Sequence, residues 1–266
     1  MTDLFIKNCL MADGESSNIL IKDGVIKEIS KNLSSGDIPE IDANHHFVSP
    51  PFVDSHFHMD ATLSYGLPRV NKSGTLLEGI KLWGELKPHL TVDAIKNRAR
   101  SFCKWAIARG TLAIRSHVDV SGDNLLGVEA LLDIKKEMKE FIDIQLVAFP
   151  QDGLLRANCL DNLISALDMG VDVVGGIPHF ERTMADGSES IKILCELAEK
   201  RGLLVDLHCD ETDDPMSRHV ETLANETTRL GLYGRVAGSH LTSMHSFDNY
   251  YFTKLVSLLV EDDLNI

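Results

Sequence analysis

The sequence lacks the features that mark membrane, secreted and nucleic-acid-binding proteins. Its 266 residues contain no run of about 18 apolar residues, so no membrane span is predicted. The stretch from Met1 to Phe5 has neither the basic start nor the long apolar segment of a signal peptide. Lys and Arg number 26 against 40 Asp and Glu, and the resulting net charge of −14 argues against nucleic acid as a partner.

Paired cysteines are also missing. The five cysteines are scattered, odd in number and without a Cys-x-x-Cys pair: Cys9, Cys103, Cys159, Cys195 and Cys209. We interpret them as reduced thiols, which predicts a cytoplasmic protein without a disulfide framework. Hydrophobic residues make up 44% of the chain and charged residues 25%, as in ordinary globular proteins.

Several catalytic signatures are absent. No Gly-x-Gly-x-x-Gly or Walker-type loop occurs, so the sequence does not predict a nucleotide-phosphate site. No Gly-x-Ser-x-Gly elbow occurs, which argues against an α/β-hydrolase serine. His179-Phe180-Glu181 matches one half of the small zinc nucleoside deaminases, but the Pro-Cys-x-x-Cys half is missing, so that family is rejected.

Residues 1–50 have the pattern of a small β module. Two β-rich runs, 18–22 and 25–29, flank Asp23-Gly24, and Asp-Gly in this position predicts a hairpin with a type I′ turn. A Ser/Gly/Asp/Pro stretch at 34–39 separates this hairpin from one more short strand near Ile41. No helix is predicted before residue 70.

Residues 51–266 alternate short apolar runs with helical patterns. The runs cover 52–58, 111–120, 142–150, 171–178, 203–209 and 236–240, and the helical patterns lie near 75–87, 91–109, 124–140, 160–169, 188–201, 214–230 and 247–261. Strands that alternate with helices predict a parallel sheet with crossover helices. An open sheet and a (β/α)₈ barrel both fit the pattern, although only six strand–helix units are present and a closed barrel needs eight.

Histidines mark the ends of three of these predicted strands. His56 and His58 are two residues apart at the end of the first run, so both side chains lie on one face of a strand. His208 ends the fifth run and His240 ends the sixth. Because the carboxyl ends of parallel strands form the catalytic face of a barrel, we predict a Zn²⁺ or Fe²⁺ site there.

Other polar residues stand near the same strand ends. Glu211, three residues after His208, is a candidate proton shuttle beside a metal-bound water, although its acidic neighbours leave a solvated loop acid as the alternative. Gln151 follows the third run. For His117, Asp119 and His179 we favour supporting or structural roles.

The chain resembles the bacterial cytosine deaminase branch of the metal-dependent amidohydrolase superfamily, nearly from end to end. The His-x-His pair is shared by the whole superfamily, whereas the Phe-Pro-Gln and Ile-Pro-His-Phe-Glu stretches are more specific to this branch. The stretches that carry the resemblance are 50–60, 73–80, 115–120, 145–153, 173–181, 208–211 and 239–246.

The resemblance implies a (β/α)₈ TIM-like barrel with a small β-sandwich built from both termini. It implies one divalent metal ion, Fe²⁺ or Zn²⁺, held by His56, His58 and His208. Glu211 would be the catalytic proton shuttle and His240 would orient a metal-bound hydroxide. For substrate binding, Gln151 would hydrogen-bond the amide edge of a pyrimidine, with Leu76 near the ring.

The implied reaction is hydrolytic deamination of cytosine or a close analogue, an attack on a C–N bond of a cyclic amidine that releases ammonia. The expected partner is therefore a small aminoheterocycle, and a homo-oligomer is compatible with the sequence. An isoguanine, creatinine-like or aminotriazine substrate is the alternative. Because no lysine ends the fourth strand, a two-metal site with a carbamylated lysine, as in dihydroorotases, is disfavoured.

The last strands of the implied barrel are not present in the chain. Family members carry a further metal-binding aspartate at the end of the eighth strand, and this chain ends at Ile266, before that point. Asp262 and Asp263 follow a helix, so we do not assign them this role. We therefore expect the chain to be a fragment or a truncated product, poorly folded or inactive by itself, and a catalytically inactive remnant is the third hypothesis.

Overall fold

A computed structural model describes residues 3–266. The chain divides into two compact units, one ending at Pro51 and one formed by Phe52–Ile266. Across residues 3–266, no helix combines the length and the apolarity that crossing a membrane requires.

The first unit is a four-stranded sheet. Its strands are β1 (Leu4–Leu10), β2 (Ser16–Lys22), β3 (Val25–Ser30) and β4 (Glu40–Asp42), in the order β3-β2-β1-β4. Asp23 and Gly24 join β2 to β3 with φ of 52° and 76°, which confirms the predicted turn with two left-handed residues. Residues 3–51 form this one sheet, and the second layer of the implied sandwich is not found among them.

The second unit is built on a parallel sheet of six strands. In chain order they are β5 (Phe52–Phe57), β6 (Thr111–Asp119), β7 (Asp143–Phe149), β8 (Val173–Gly176), β9 (Leu204–Cys209) and β10 (Val236–His240). Each strand pairs with the next along the chain, so β5 and β10 lie at the two edges. Asn265 forms an isolated parallel bridge with Ala237, which places the last residues beside the β10 edge.

Seven helices connect and follow these strands. They are α1 (Leu76–Leu86), α2 (Val92–Ala108), α3 (Leu126–Met138), α4 (Cys159–Met169), α5 (Met184–Arg201), α6 (His219–Leu230) and α7 (Asn249–Glu261). The predicted caps are present: the Thr91 side chain accepts a hydrogen bond from the Ala94 N–H, and Gly170 and Gly202 end α4 and α5 in left-handed conformations. The apolar faces of these helices bury residues such as Ile95, Leu131 and Leu194 in one core with the sheet.

The six-stranded sheet is rolled, as in a barrel wall. Neighbouring strands lie about 4.8 Å apart, so β5 and β10 would be roughly 24 Å apart in a flat sheet. The rings of His56 on β5 and His240 on β10 have their centroids only 4.6 Å apart. The sheet therefore curves until its edge strands approach each other at their carboxyl ends, which confirms the TIM-like fold.

Two helices begin four or more residues away from the start that the sequence predicts. Helix α5 begins at Met184, four residues before the predicted 188, because the Thr183 side chain accepts a hydrogen bond from the Asp186 N–H and caps an earlier turn. Helix α6 begins at His219, five residues after the predicted 214. The carboxylate of Asp210, at the end of β9, accepts the N–H groups of His219 and Val220, and residues 211–218 become a loop at the site described below.

Glycine at the end of β8 is required by close packing. A Cβ atom on Gly175 would lie 2.4 Å from the carbonyl oxygen of Ala148 in the adjacent strand. We expect Gly175→Ala to lower the free energy of unfolding by about 3 kcal/mol, the upper end for overpacking, because backbone cannot move aside as a side chain can. Gly84→Ala is the matched control, since a Cβ at this helical position meets nothing within 4 Å. Urea denaturation of both variants measures the difference, and equal stabilities would contradict it.

Candidate metal centre

The carboxyl ends of the parallel strands bring five histidines together. His56 lies on β5, His58 follows that strand, His117 lies on β6, His208 on β9, and His240 ends β10. Side chains two residues apart on a strand share one face, which directs His56 and His58 into the same space. Rolling of the sheet then carries the histidines of β9 and β10 toward those of β5 and β6.

Four of these imidazoles form a cluster with the geometry of a metal site. One ring nitrogen from each of His56, His58, His117 and His208 lies within 4.8 Å of the others. The Nε2 atoms of His58 and His208 are 3.0 Å apart. Two nitrogens that each lie about 2.0–2.1 Å from one zinc ion are separated by roughly 3 Å. The structure thus unites the three predicted ligands, whose role stays a prediction, and adds His117.

Three of the cluster histidines, His56, His58 and His208, are held in the neutral form that binds metals. Burial, followed by the proximity of the other histidines, lowers the pKa of His56 to about 4 and that of His58 to about 3. The same causes lower the pKa of His208 well below its ordinary value. At neutral pH these rings keep a free lone pair, as a divalent cation requires.

Unpaired ring nitrogens show that these residues fit a metal ion. Nδ1 of His56, Nδ1 of His208 and both ring nitrogens of His117 are buried without a hydrogen-bond partner among residues 3–266. Buried polar atoms rarely stay unpaired, because each costs about 1–3 kcal/mol. A divalent cation within the cluster would take one lone pair from each ring that holds it.

Glu211 and His240 lie beside the cluster. Glu211 Oε2 is 3.9 Å from His240 Nε2, and the His240 ring centroid is 4.9 Å from that of His208. Burial raises the pKa of Glu211, with His240 opposing the shift. A carboxylate with a raised pKa accepts and returns a proton near neutral pH more readily than an ordinary glutamate.

Left-handed backbone residues shape the loops that carry this pair. Asp210 has φ of 52°, and His240 has φ of 76°, values that non-glycine residues seldom adopt. The Asp210 carboxylate accepts hydrogen bonds from the Ser217 hydroxyl and from Nδ1 of His219, and the Asp210 carbonyl oxygen accepts one from the Ser243 N–H. The loops after β9 and β10 are thereby tied to each other.

The predicted substrate residues lie in loops and at a helix start. Gln151 follows β7 and is half-buried, whereas Leu76 is the first residue of α1 and is 54% exposed. A cavity of about 350 Å³ is lined by Glu211, His179 and Leu77, the neighbour of Leu76. The structure therefore places the start of α1 at this cavity, and direct roles for Gln151 and Leu76 stay predictions.

Asp119 lies in a separate polar network. Its carboxylate accepts hydrogen bonds from Trp83 Nε1 at 2.6 Å and pairs with Lys87 Nζ at 2.8 Å. Lys87 also pairs with Asp152, the residue after Gln151. Asp119 thus connects the end of α1 to the loop that carries Gln151, and its supporting role stays a prediction.

His117 is the cluster member to which the sequence analysis gave a supporting role. It is fully buried, and its ring centroid lies 4.4 Å from that of His56 and 4.5 Å from that of His208. A sequence signal exists, because Arg115 and His117 are two residues apart on β6 and therefore share one face of this strand. Without the partner strands, however, that face could not be assigned to the inside of the sheet.

Comparisons with known proteins agree with this geometry. The crystal structure of 5-methylcytosine deaminase from Klebsiella pneumoniae with phosphonocytosine superimposes with a TM-score of 0.93 and 40% identity, covering 98% of this chain and 64% of that one. N-isopropylammelide isopropyl amidohydrolase of Pseudomonas sp. (strain ADP) is 32% identical over 251 residues, 90% of this chain and 60% of that protein. Pterin deaminase of Rhizobium rhizogenes is 24% identical over 94% of this chain and 57% of its own length.

The matches cover most of this chain but only part of each relative. The chain spans about three fifths of the proteins it matches. The family model described as "Amidohydrolase family" covers residues 39–266, which include every histidine of the cluster. By this match, and by its rolled parallel sheet with imidazoles at the carboxyl ends of the strands, the chain belongs to the amidohydrolase family.

Proposed function

We propose that this protein catalyses metal-dependent hydrolytic deamination of a cytosine-like aminoheterocycle, releasing ammonia. The observation that carries the proposal is the cluster of four imidazoles whose ring nitrogens lie within 4.8 Å of one another at the carboxyl ends of the strands, with Glu211 and His240 beside it. The 40% identity to a deaminase crystallised with phosphonocytosine supports a cytosine-like substrate.

The metal ion is proposed to be a single Zn²⁺ or Fe²⁺. His56, His58 and His208 would hold it. When bound, such an ion supplies a water molecule that is nucleophilic at neutral pH. The low pKa values of His56 and His58 mean that protons do not compete with the metal for these rings near pH 7.

The remaining steps belong to the residues around the cluster. The water oxygen forms a bond to the ring carbon that bears the amino group. The bond between that carbon and the amino nitrogen then breaks. Glu211 accepts one proton from the water and returns it to the ring nitrogen beside that carbon. The proton of the new hydroxyl group then passes to the amino group, which departs as ammonia and leaves a ring carbonyl. His240, 3.9 Å from Glu211, orients the attacking water, and Gln151 would hydrogen-bond the amide edge of the ring.

An aminotriazine is the second candidate substrate. A relative with 32% identity is named for its action on N-isopropylammelide, and a histidine cluster alone does not distinguish a pyrimidine ring from a triazine. Leu77, which lines the cavity, and Gln151, the predicted substrate residue, are the described positions at which discrimination would arise.

A substrate panel tests the proposal. Purified protein loaded with Zn²⁺ or Fe²⁺ is assayed for ammonia or amine release from cytosine, 5-methylcytosine, isoguanine, creatinine and N-isopropylammelide. We expect the highest kcat/KM for cytosine or 5-methylcytosine, with metal-free protein as the control. Turnover of the triazine with inert cytosines would overturn the substrate assignment. No turnover of any compound by metal-loaded protein would overturn the deaminase proposal for this chain and favour the catalytically inactive remnant, the third hypothesis of the sequence analysis.

A further inference from the structure

An ion pair crosses the interior of the rolled sheet directly beneath the histidine cluster. Arg115 Nη1 on β6 lies 2.8 Å from Asp206 Oδ2 on β9. These strands are not neighbours, because β7 and β8 lie between them in the sheet. The pair therefore spans the space enclosed by the strands and does not follow the sheet surface.

Both partners are fixed by further hydrogen bonds. Arg115 Nε donates to Gln145 Oε1 on β7 at 2.7 Å, and the Ser239 hydroxyl on β10 donates to Asp206 Oδ1 at 2.8 Å. Four strands thus meet through one carboxylate and one guanidinium. Asp206 is only 1% exposed, and although burial opposes ionisation, His117, Arg115 and Ser239 lower its pKa to about 2.

Each member of this ion pair lies two residues before a histidine of the cluster on the same strand. Arg115 precedes His117 by two residues on β6, and Asp206 precedes His208 by two residues on β9, so each charge shares its face with one imidazole. The two ring centroids lie 4.5 Å apart. Asp206 Oδ1 is also 3.6 Å from His117 Nε2, a nitrogen without a hydrogen-bond partner among the described residues.

Stability alone does not account for such a pair. Replacing a buried ion pair by apolar groups of similar volume is often neutral or stabilising, because both charges lose their hydration. Outer partners of metal-binding histidines, in contrast, typically change metal affinity by about 10–100-fold when removed. A pair that joins the two strands carrying His117 and His208 sets the distance between those rings.

We propose that the Arg115–Asp206 pair is a positioning element that fixes the spacing of His117 and His208 and thereby strengthens binding of a divalent cation at the cluster. Asp206 also orients the His117 ring, since it is the anion nearest to Nε2. This inference rests on the proposed function only in requiring that the cluster binds a metal ion.

The test is the Zn²⁺ affinity of purified variants, measured at pH 7 by competition with a chromophoric chelator. Asp206→Asn and Arg115→Met are expected to bind Zn²⁺ about 10–100-fold more weakly than the unaltered protein. Asp133→Asn is the matched control, because it removes an ion pair of 2.7 Å with Lys96, between α2 and α3. This control is expected to leave the affinity unchanged.

A double variant separates positioning from folding. Arg115→Met leaves the buried Asp206 carboxylate without its partner, and Asp206→Asn leaves the partly exposed Arg115 guanidinium without its partner. Both changes lower stability, whereas the double variant leaves no unpaired charge. In excess chelator, the midpoint of thermal unfolding of the double variant is expected to lie closer to that of the unaltered protein than the midpoint of either single variant. It is still expected to bind Zn²⁺ at least 10-fold more weakly.

Two results would overturn the inference, and they differ from each other. If the double variant binds Zn²⁺ within twofold of the unaltered protein, the pair does not position the ligands, although the metal site stands. If the unaltered protein binds no Zn²⁺, the proposed function fails, and the inference fails with it.

Discussion

Glu211→Gln is expected to lower kcat for deamination by about 10²–10⁴-fold, the usual contribution of one positioned acid–base group. Glutamine keeps the size of the side chain but can neither accept nor return the proton. Glu211 makes no side-chain hydrogen bond among residues 3–266, so metal content and thermal stability should stay near those of the unaltered protein. Steady-state kinetics, together with metal analysis of the same preparation, measures the effect.

The control for this variant comes from the same acidic loop. Asp213 is an exposed acid two residues after Glu211, and Asp213→Asn removes an equal charge without touching the cavity. Its kcat is expected to stay within about twofold of the unaltered value. Equal losses in both variants would mean that Glu211 acts through the general charge of the loop, and an active Glu211→Gln protein would end its assignment as the proton carrier.

Metal removal is expected to abolish activity and to lower stability together. Nδ1 of His56, Nδ1 of His208 and both ring nitrogens of His117 have no hydrogen-bond partner among residues 3–266, so without a cation the protein holds buried polar atoms that no described residue satisfies. Ligand at 1,000 times its Kd stabilises a folded state by about 4 kcal/mol, which sets the scale of the loss after chelation. Added Zn²⁺ or Fe²⁺ should restore both activity and the unfolding midpoint.

His208→Ala tests whether the metal ion that supports activity and stability binds at the histidine cluster. His208 is 4% exposed and contacts three other imidazoles of the cluster, so its loss should prevent restoration by added metal. His89→Ala is the matched control, because His89 is an exposed histidine outside the cluster. Recovery of full activity by His208→Ala after addition of metal would show that the ion binds elsewhere.

Local patterns were enough to predict most of the elements and several site residues. Periodicity of two placed His56 and His58 on one face, and the turn at Asp23 and Gly24 has the predicted left-handed conformation. Helix boundaries were predictable where a cap is adjacent in sequence, as at Thr91. The start of α6 was not predictable, because the carboxylate that accepts a hydrogen bond from its first N–H group belongs to Asp210, nine residues before His219.

The chemical identity of the site residues and the order of strands and helices along the chain were determined by the sequence alone. Imidazoles at the ends of the first, fifth and sixth predicted strands, with Glu211 three residues after His208, already indicated a metal-dependent hydrolase, because side-chain chemistry and the period of a strand are local properties. Only the tertiary structure decided that His117 joins the cluster and that Arg115 reaches Asp206. Both contacts depend on how strongly the sheet curves. That curvature brings together residues about 90 positions apart in the chain, such as Arg115 and Asp206, and no local sequence pattern encodes a contact over that separation.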